Sequence, residues 1–382
     1  MTTTDRELGP LLDAMIARIH TVREPVDERI EQALRAVPRH EYVPPVALIA
    51  ADDRPPFVID RDTDPDHWLR AVYAEASIVT QLDDGATDLR ALRGSYSSSS
   101  SAPATVADLL ELLDPQPGDC VLEIGTGTGW TAALLCHLVG EQGVTSVEVD
   151  PSVAEAAAKA LAVAGVRPHL VVGDGAEGVA ERAPFDRIHA TCAVQRVPYT
   201  WIEQARPGAV IVTPFSTGVG DGHVLRLVVL PDGTAQGRFR EYASYMAMRS
   251  QRAVYPPDPE GAQPQEGSTR VNPRMIANAA PGATLAIAAL TGLRLTTRAE
   301  PDRFLMWVTS PGYPGEKAMI IWEKGQSEYT SYQLGDRPVW DEVVAAYFQW
   351  VKWGEPSRDR FGMTIAADGQ SYWLDTPVRV IG

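Results

Sequence analysis

The sequence predicts an α/β fold, in which a doubly wound, mostly parallel sheet is preceded by helices and followed by a smaller α+β domain. Three observations carry this. From Thr105 to Leu230, short apolar runs alternate with helical stretches, the signature of successive βα units. Residues 249–274 are crowded with Pro, Gly, Gln and charge, as linkers are. Beyond them come strand-like runs, one amphipathic helix and a hairpin signal, the mixture expected of a compact α+β domain.

Taken in order, residues 8–40 carry apolar positions at helical spacing: Leu11, Leu12, Met15, Ile16 and Ile19, then Ile30, Ala33, Leu34 and Val37. Breaks at Pro25 and Pro38 divide them into two helices. From about 50 to 95 the chain is rich in Asp, Arg and Pro without a sustained period, so an irregular connection is expected, with one short strand near Ile78. A serine run, Ser97 to Ser101, follows. A helix is expected over Thr105–Leu113, strands at 120–124, 144–149, 169–173, 187–191 and 209–213, and helices at 130–139, 152–164 and 198–205. Val224–Leu230 is expected as the terminal strand of the sheet, ending at the turn Pro231-Asp232-Gly233.

In the last portion, Leu293–Thr297, Phe304–Ser310, Lys317–Glu323 and Tyr329–Leu334 read as strands, 339–353 as a helix, and Asp368-Gly369 as a hairpin turn. Trp307, Trp322, Trp340, Trp350, Trp353 and Trp373 all fall there. Aromatics at that density build the core of a small domain, and an exposed subset could serve a peptide-binding surface or a homodimer. The expected division is 1–95 as a helical and irregular lead-in, 96–248 as the core domain, 249–274 as a linker, and 275–382 as a substrate-recognition or dimerisation domain.

At 382 residues and 45% hydrophobic content, the chain can bury two cores. Its 34 basic against 50 acidic residues give a formal charge of -16, which repels phosphate backbones and anionic bilayers, so neither nucleic acid nor membrane is an expected partner. No basic segment leads into an apolar leader and no run of about 18 apolar residues occurs, so a cytoplasmic location is expected. Cys120, Cys136 and Cys192 lack C-x-x-C spacing and sit in apolar segments, which excludes a disulfide framework and a metal site from the expectations.

The segment Val121-Leu-Glu-Ile-Gly-Thr-Gly-Thr-Gly129 is an apolar strand running into three alternate glycines and then a helix. Glycine lets the backbone turn at positive φ and pass close to a ligand. A dinucleotide fingerprint would be G-x-G-x-x-G, but Trp130 stands at its third glycine, so the spacing suits a cofactor without a pyrophosphate. Glu148 ends the next strand, where an acid can accept from both ribose hydroxyls, and Gly173-Asp174-Gly175 ends the third, where a carboxylate or backbone group can read the adenine amino group. Three successive strand ends thus offer methionine, ribose and adenine contacts in order. They predict a Rossmann-like class I core binding S-adenosyl-L-methionine (product S-adenosyl-L-homocysteine), with Glu123, Gly125, Thr126, Gly127, Thr128, Gly129, Glu148, Val149, Gly173, Asp174 and Gly175 as cofactor residues. Asp150 rivals Glu148 for the ribose, although the Pro151 that follows it also fits a helix N-cap.

These residues carry a further match. Ile30-Glu-Gln-Ala-Leu-Arg-Ala-Val-Pro-Arg-His-Glu-Tyr-Val-Pro44, the loop Gly125 to Gly129, and Gly173-Asp-Gly-Ala-Glu-Gly-Val-Ala-Glu-Arg-Ala-Pro-Phe-Asp-Arg-Ile188 resemble protein-L-isoaspartate methyltransferases over roughly residues 25–230. The resemblance implies carboxyl O-methylation. It also implies that a T-x-S-x-P segment supplies hydroxyls to the substrate carboxylate; Ser99-Ser100-Ser101-Ala102-Pro103 occupies that place, with Ser101 matching the key serine and Ser99 standing where the family has threonine. Ser99, Ser100 and Ser101 are therefore the expected catalytic positions. Ser97, Ser98, Gln195 and Arg196 are expected to contact substrate.

The enlarged serine run, the irregular insertion before it and the extra C-terminal domain depart from small repair enzymes. They resemble homologues associated with ribosomally made peptides, which methylate an aspartate of a lanthipeptide or graspetide, the ester then collapsing to an aspartimide. The expected substrate is accordingly such a peptide, crosslinked or not. Repair of isoaspartyl sites in damaged proteins is the alternative, and an inactive peptide-binding module is the reading of another class. Because a carboxylate is already nucleophilic at neutral pH, positioning and not base catalysis is the main requirement. His40 and His189 are candidates for proton handling that also fit structural roles.

Overall fold

The computed structural model describes residues 3–22, 26–51, 54–254, 257 and 260–382, so the break expected at Pro25 lies outside the described residues. The chain divides into two compact units: residues 1–192, 200–213 and 248–250 form the first, and residues 193–199, 214–247 and 251–382 the second.

The first unit opens with α1 (Thr3–Val22) and α2 (Glu28–Ala36), the latter N-capped by Asp27. The segment expected to be irregular is instead an antiparallel sheet: β1 (Val46–Ala51), β2 (Arg54–Asp60), β3 (Ser77–Leu82) and β4 (Tyr96–Ser100), in the order β2-β1-β3-β4. Between β2 and β3, Asp64 caps α3 (Pro65–Val72) by accepting from the His67 amide. This correction has a physical reason. The sheet is small, bulged in both β1 and β3–β4, and polar where it meets water, so its strands lack the clean alternation that marks a strand in sequence. The serine run is strand: β4 pairs with β3 through Ile78↔Ser100, Val79↔Ser99 and Gln81↔Ser98.

After β4 come α4 (Pro103–Leu113), β5 (Val121–Ile124), α5 (Trp130–Val139), β6 (Val144–Glu148), α6 (Pro151–Val163), β7 (His169–Val172), β8 (Phe185–Ala190), α7 (Tyr199–Glu203) and β9 (Ala205–Phe215). Strand order β9-β8-β5-β6-β7, parallel at every step, makes the expected doubly wound sheet. Its order reverses at β5, so the loop after β5 lies at the topological switch point where α/β sheets bind ligands.

The second unit holds a meander expected in part elsewhere. Val224–Leu230 is not terminal: β10 (His223–Val229) turns at residues 230–234 into β11 (Ala235–Tyr242). After β12 (Gln265–Thr269), α8 (Pro273–Ala277) and α9 (Pro281–Thr291), the strands β13 (Arg294–Glu300), β14 (Arg303–Ser310), β15 (Tyr313–Glu323) and β16 (Tyr329–Leu334) form an antiparallel sheet ordered β12-β16-β15-β14-β13. Packed on it, α10 (Val339–Lys352) contributes Val339, Trp340, Val343 and Ala346 to one core with Met306, Val308 and Ile320. The last hairpin, β17 (Phe361–Ala366) and β18 (Gly369–Leu374), leaves that sheet and pairs β17 with β11. The expected 249–274 linker thus contains a strand, and the second unit also takes in residues well before 275. Of the tryptophans in this region, Trp340, Trp350 and Trp373 are buried, whereas Trp307, Trp322 and Trp353 are partly exposed.

Candidate cofactor and carboxylate site

Strand β5 is buried along its whole length and delivers the chain into Gly125, Gly127 and Gly129 at φ of 95°, 55° and 87°. A side chain at Gly125 would meet the Thr191 hydroxyl at 2.7 Å, and one at Gly127 would meet the Ser99 carbonyl at 3.3 Å. The loop is therefore closed on one side by β8 and on the other by the serine strand. Glu148, 8% exposed, accepts from the Gly127 amide at 2.9 Å through Oε2 and from the Asp150 amide at 3.1 Å through Oε1. Each oxygen keeps a lone pair for a ribose hydroxyl. Beside it Val149 and Val172 are exposed apolar side chains at the ends of β6 and β7, a surface suited to a purine face. Asp174 accepts through Oδ1 from the Ala176 amide at 3.0 Å and the Ser250 hydroxyl at 3.2 Å, while no described protein group donates to its Oδ2. Gly173 donates to the Glu148 carbonyl, and Gly175 accepts from the Trp201 indole. These groups fit S-adenosylmethionine: a loop without room for side chains, an acid with spare acceptor capacity, an apolar wall, then a second acceptor.

Glu123, expected among the cofactor contacts, is not one. It is fully buried behind the loop, where the Ser146 hydroxyl donates to its Oε2 at 2.5 Å and is itself 2.6 Å from Thr126 Oγ1. Burial pushes the Glu123 carboxyl up to about 8, and its Oε1 has no partner among the described residues. Asp150 is an N-cap: its Oδ1 accepts from the Ser152 and Val153 amides. Burial would raise its pKa, but hydrogen bonds from Ser152, Gln81 and Arg249 outweigh this and hold it well below the usual carboxylate range. His189 is buried without a partner at Nδ1 among the described residues, and burial pushes it down to about 4; His40 bonds Tyr73 at 2.7 Å, and burial lowers it too. Neither is placed to move a substrate proton.

Alternation along β4 divides the serines. Ser98 and Ser100 are buried: the Thr80 hydroxyl donates to Ser98 Oγ at 3.1 Å and Arg39 Nε donates to Ser100 Oγ at 3.3 Å. The expected roles of Ser98 toward substrate and Ser100 in catalysis are thus corrected to internal hydrogen bonding. Ser97 donates to Gln81 Oε1 at 2.8 Å. Ser99 and Ser101 are half-buried, and their hydroxyls take no partner among the described residues. Gln195 and Arg196 fall in the second unit, where both amides donate to Gln251 Oε1 and the Gln195 side chain accepts from Arg294. The Gln195 side chain is thereby engaged within the unit, whereas Arg196 is bonded through its backbone and its side chain is exposed.

Arg39 was missed as a functional residue. Fully buried, it donates to the carbonyls of Val72 (2.8 Å), Ala76 (3.1 Å), Ser100 (3.1 Å) and Ser101 (2.7 Å), and its guanidinium lies 5.1 Å from the Trp130 ring centroid. It ties the end of the serine strand to the first residue of α5. The available signal was the arginine itself, within an otherwise apolar helix end at Val37-Pro38-Arg39. Next to it the Glu75 carboxylate receives the Ala104 amide at the start of α4. A cleft of about 400 Å³ opens beside Gly127 and Thr128, lined among others by Tyr42, Pro44, Gln81 and Val153.

A profile of the family described as Protein-L-isoaspartate(D-aspartate) O-methyltransferase (PCMT) matches residues 66–252. The protein-L-isoaspartate O-methyltransferase of Aeropyrum pernix is 31% identical over 243 residues, 62% of this chain and 78% of that one. The protein-L-isoaspartate O-methyltransferase 2 of Archaeoglobus fulgidus is 32% identical over 221 residues, 57% of this chain and 83% of that one. A solved structure named protein-L-isoaspartate O-methyltransferase matches with a TM-score of 0.54 at 22% identity, covering 96% of this chain and 100% of the other, so the fold is shared across nearly the whole length. A region beyond the methyltransferase core therefore does not set this chain apart, as the sequence had suggested. The chain belongs to the protein-L-isoaspartate O-methyltransferase family and is an S-adenosylmethionine-dependent protein carboxyl methyltransferase.

Proposed function

We propose that this enzyme methylates the free carboxylate of isoaspartyl residues in damaged proteins or peptides. The observation that carries the reading is the pair of hydroxyls at Ser99 and Ser101 that take no partner among the described residues, on a segment whose Ser99 carbonyl abuts Gly127 of the cofactor loop. When bound, S-adenosylmethionine supplies an electrophilic methyl group and leaves as S-adenosylhomocysteine. Gly125 to Gly129, Glu148, Val149 and Asp174 would hold it. Ser99 and Ser101 donate to one carboxylate oxygen, so that the other is presented for attack, and Arg39 fixes the carbonyls flanking them. No base is needed. The ester product then closes when the following backbone amide nitrogen attacks its carbonyl and expels methanol, giving a five-membered imide.

The peptide-tailoring reading rested on an irregular insertion, an enlarged serine run and an extra C-terminal domain. The first two are ordered sheet, and the third has a counterpart in a solved relative, so none of them favours tailoring over repair. Mass spectrometry separates the readings: an isoaspartyl peptide should gain a methyl group while the same peptide with aspartate stays unmodified. Preferential methylation of the aspartyl peptide would overturn repair in favour of tailoring, and no methylation of either by a protein that binds S-adenosylhomocysteine would favour the inactive module. For the cofactor, Glu148→Ala should cost roughly 1.5–3 kcal/mol of S-adenosylhomocysteine affinity, the scale of losing a charged acceptor. Unchanged affinity in calorimetry would remove Glu148 from the site.

A further inference from the structure

Around the cofactor strand ends runs a closed ring of polar contacts. Ser97 Oγ donates to Gln81 Oε1 at 2.8 Å; Gln81 Nε2 donates to Asp150 Oδ2 at 3.0 Å; Arg249 Nη1 donates to that same Asp150 oxygen at 3.1 Å. Arg249 Nη2 reaches Asp84 Oδ1 at 3.2 Å, and the Asp84 amide donates back to Ser97 Oγ at 3.0 Å. Asp83 and Asp84 hold left-handed backbone, φ 47° and 54°, which non-glycine residues keep only where surrounding contacts over-determine it. Asp83 is fixed in turn by the Thr87 hydroxyl and the Ser95 amide.

Two halves of the ring belong to two functions. Gln81, Ser97 and Asp84 lie on β3, β4 and the turn between them, in the sheet that carries Ser99 and Ser101. Asp150 is two residues from Glu148 and donates its amide to the Glu148 carboxylate. A ribose taken up by Glu148 must therefore act on the residue that anchors both Gln81 and Arg249. Within 248–250, Ser250 also bonds Asp174, so this short segment touches the ends of both β6 and β7.

We infer that Arg249 and Gln81 are positioning residues that couple cofactor occupancy to the serine strand, so that S-adenosylmethionine binding tightens the site for the substrate carboxylate. This rests on the site reading proposed above. Coupling is reciprocal by linkage, so the factor by which cofactor raises peptide affinity equals the factor by which peptide raises cofactor affinity. That equality is an internal check on the measurement.

Calorimetry on the full chain would measure the Kd of an isoaspartyl peptide with and without saturating S-adenosylhomocysteine, and the reverse. In the wild type the two ratios should agree and be about tenfold, within the usual range for coupled sites. Arg249→Met should bring both ratios close to one while S-adenosylhomocysteine still binds. Arg249→Lys, which keeps one charged contact, should retain part of the coupling. Should Arg249→Met fail to fold, Gln81→Met opens the same ring without removing a charge and should lower the ratio in the same way. A ratio of one in the wild type, or an unchanged ratio in a folded ring variant, would overturn the inference alone. Failure of the wild type to bind S-adenosylhomocysteine would overturn the site reading and the coupling with it.

Discussion

Ser99 and Ser101 differ from Ser98 and Ser100 in what their hydroxyls touch, and this sets the expected order of effects. Replacing Ser101 or Ser99 with alanine should leave folding and cofactor binding intact and lower the methylation rate by roughly 100-fold, the scale of one donor lost to a developing charge. Ser98→Ala removes a buried partner of Thr80 and should cost stability of about 1 kcal/mol with little change in rate. Initial rates at saturating cofactor and peptide, beside thermal melts, separate the two classes; equal rate losses at 98, 99 and 101 would mean that the strand acts as a whole. Glu123 allows a pH prediction. Its folded pKa, raised to about 8 by burial, exceeds the ordinary 4.5. The folded chain therefore keeps a proton that the unfolded chain has released, and the stabilisation present below the unfolded value declines as pH rises toward about 8. Wild type should lose more melting temperature between pH 5 and pH 8 than Glu123→Gln, and parallel losses would show that the carboxyl is ionised throughout.

At the level of single elements, the guanidinium of Arg39 organises the end of strand β4 and the first residue of α5. Lysine cannot satisfy the same fan of carbonyls at Val72, Ala76, Ser100 and Ser101. Arg39→Lys should therefore destabilise the chain by about 2–4 kcal/mol through unsatisfied buried acceptors, and should raise KM for peptide more than it weakens cofactor binding. A variant with wild-type melting and KM would deny Arg39 this role. The same elements show what sequence reveals. Strands β5, β6, β8 and β9 were legible because parallel strands buried on both faces read as plain apolar runs, and the glycine loop declares itself by spacing. The sheet of β1 to β4 was not, since Arg54-Pro-Pro and a run of serines argue against strand by propensity, and pairing of β2 with β1 and of β4 with β3 decides otherwise. Ser99 and Ser101 could be named in advance, but the partners that withdraw Ser98 and Ser100 come from β3 and from residue 39, distances in sequence that no local pattern spans. Asp150 was legible as a cap because the proline after it is a local signal.

Over the whole molecule, the two units interleave along the chain, with residues 193–199 and 214–247 in the second and 200–213 and 248–250 in the first. The segment after residue 250 is therefore not a boundary at which the units can be parted. A chain ending at Ser250 keeps β11 but deletes β17, its partner from Ala235↔Ile365 to Arg238↔Gly362. Such a fragment should aggregate through the bared edge, as light scattering and size-exclusion chromatography would show. A soluble fragment with a cooperative melt would contradict this. The same pairing gives protein synthesis an order. On the ribosome β11 emerges early, and the entire five-stranded sheet must be translated before its outer neighbour exists. For that interval the nascent chain carries an open hydrogen-bonding edge, so cellular yield should follow translation speed and chaperone supply, and premature stop codons even near residue 354 should give insoluble product instead of a shortened enzyme.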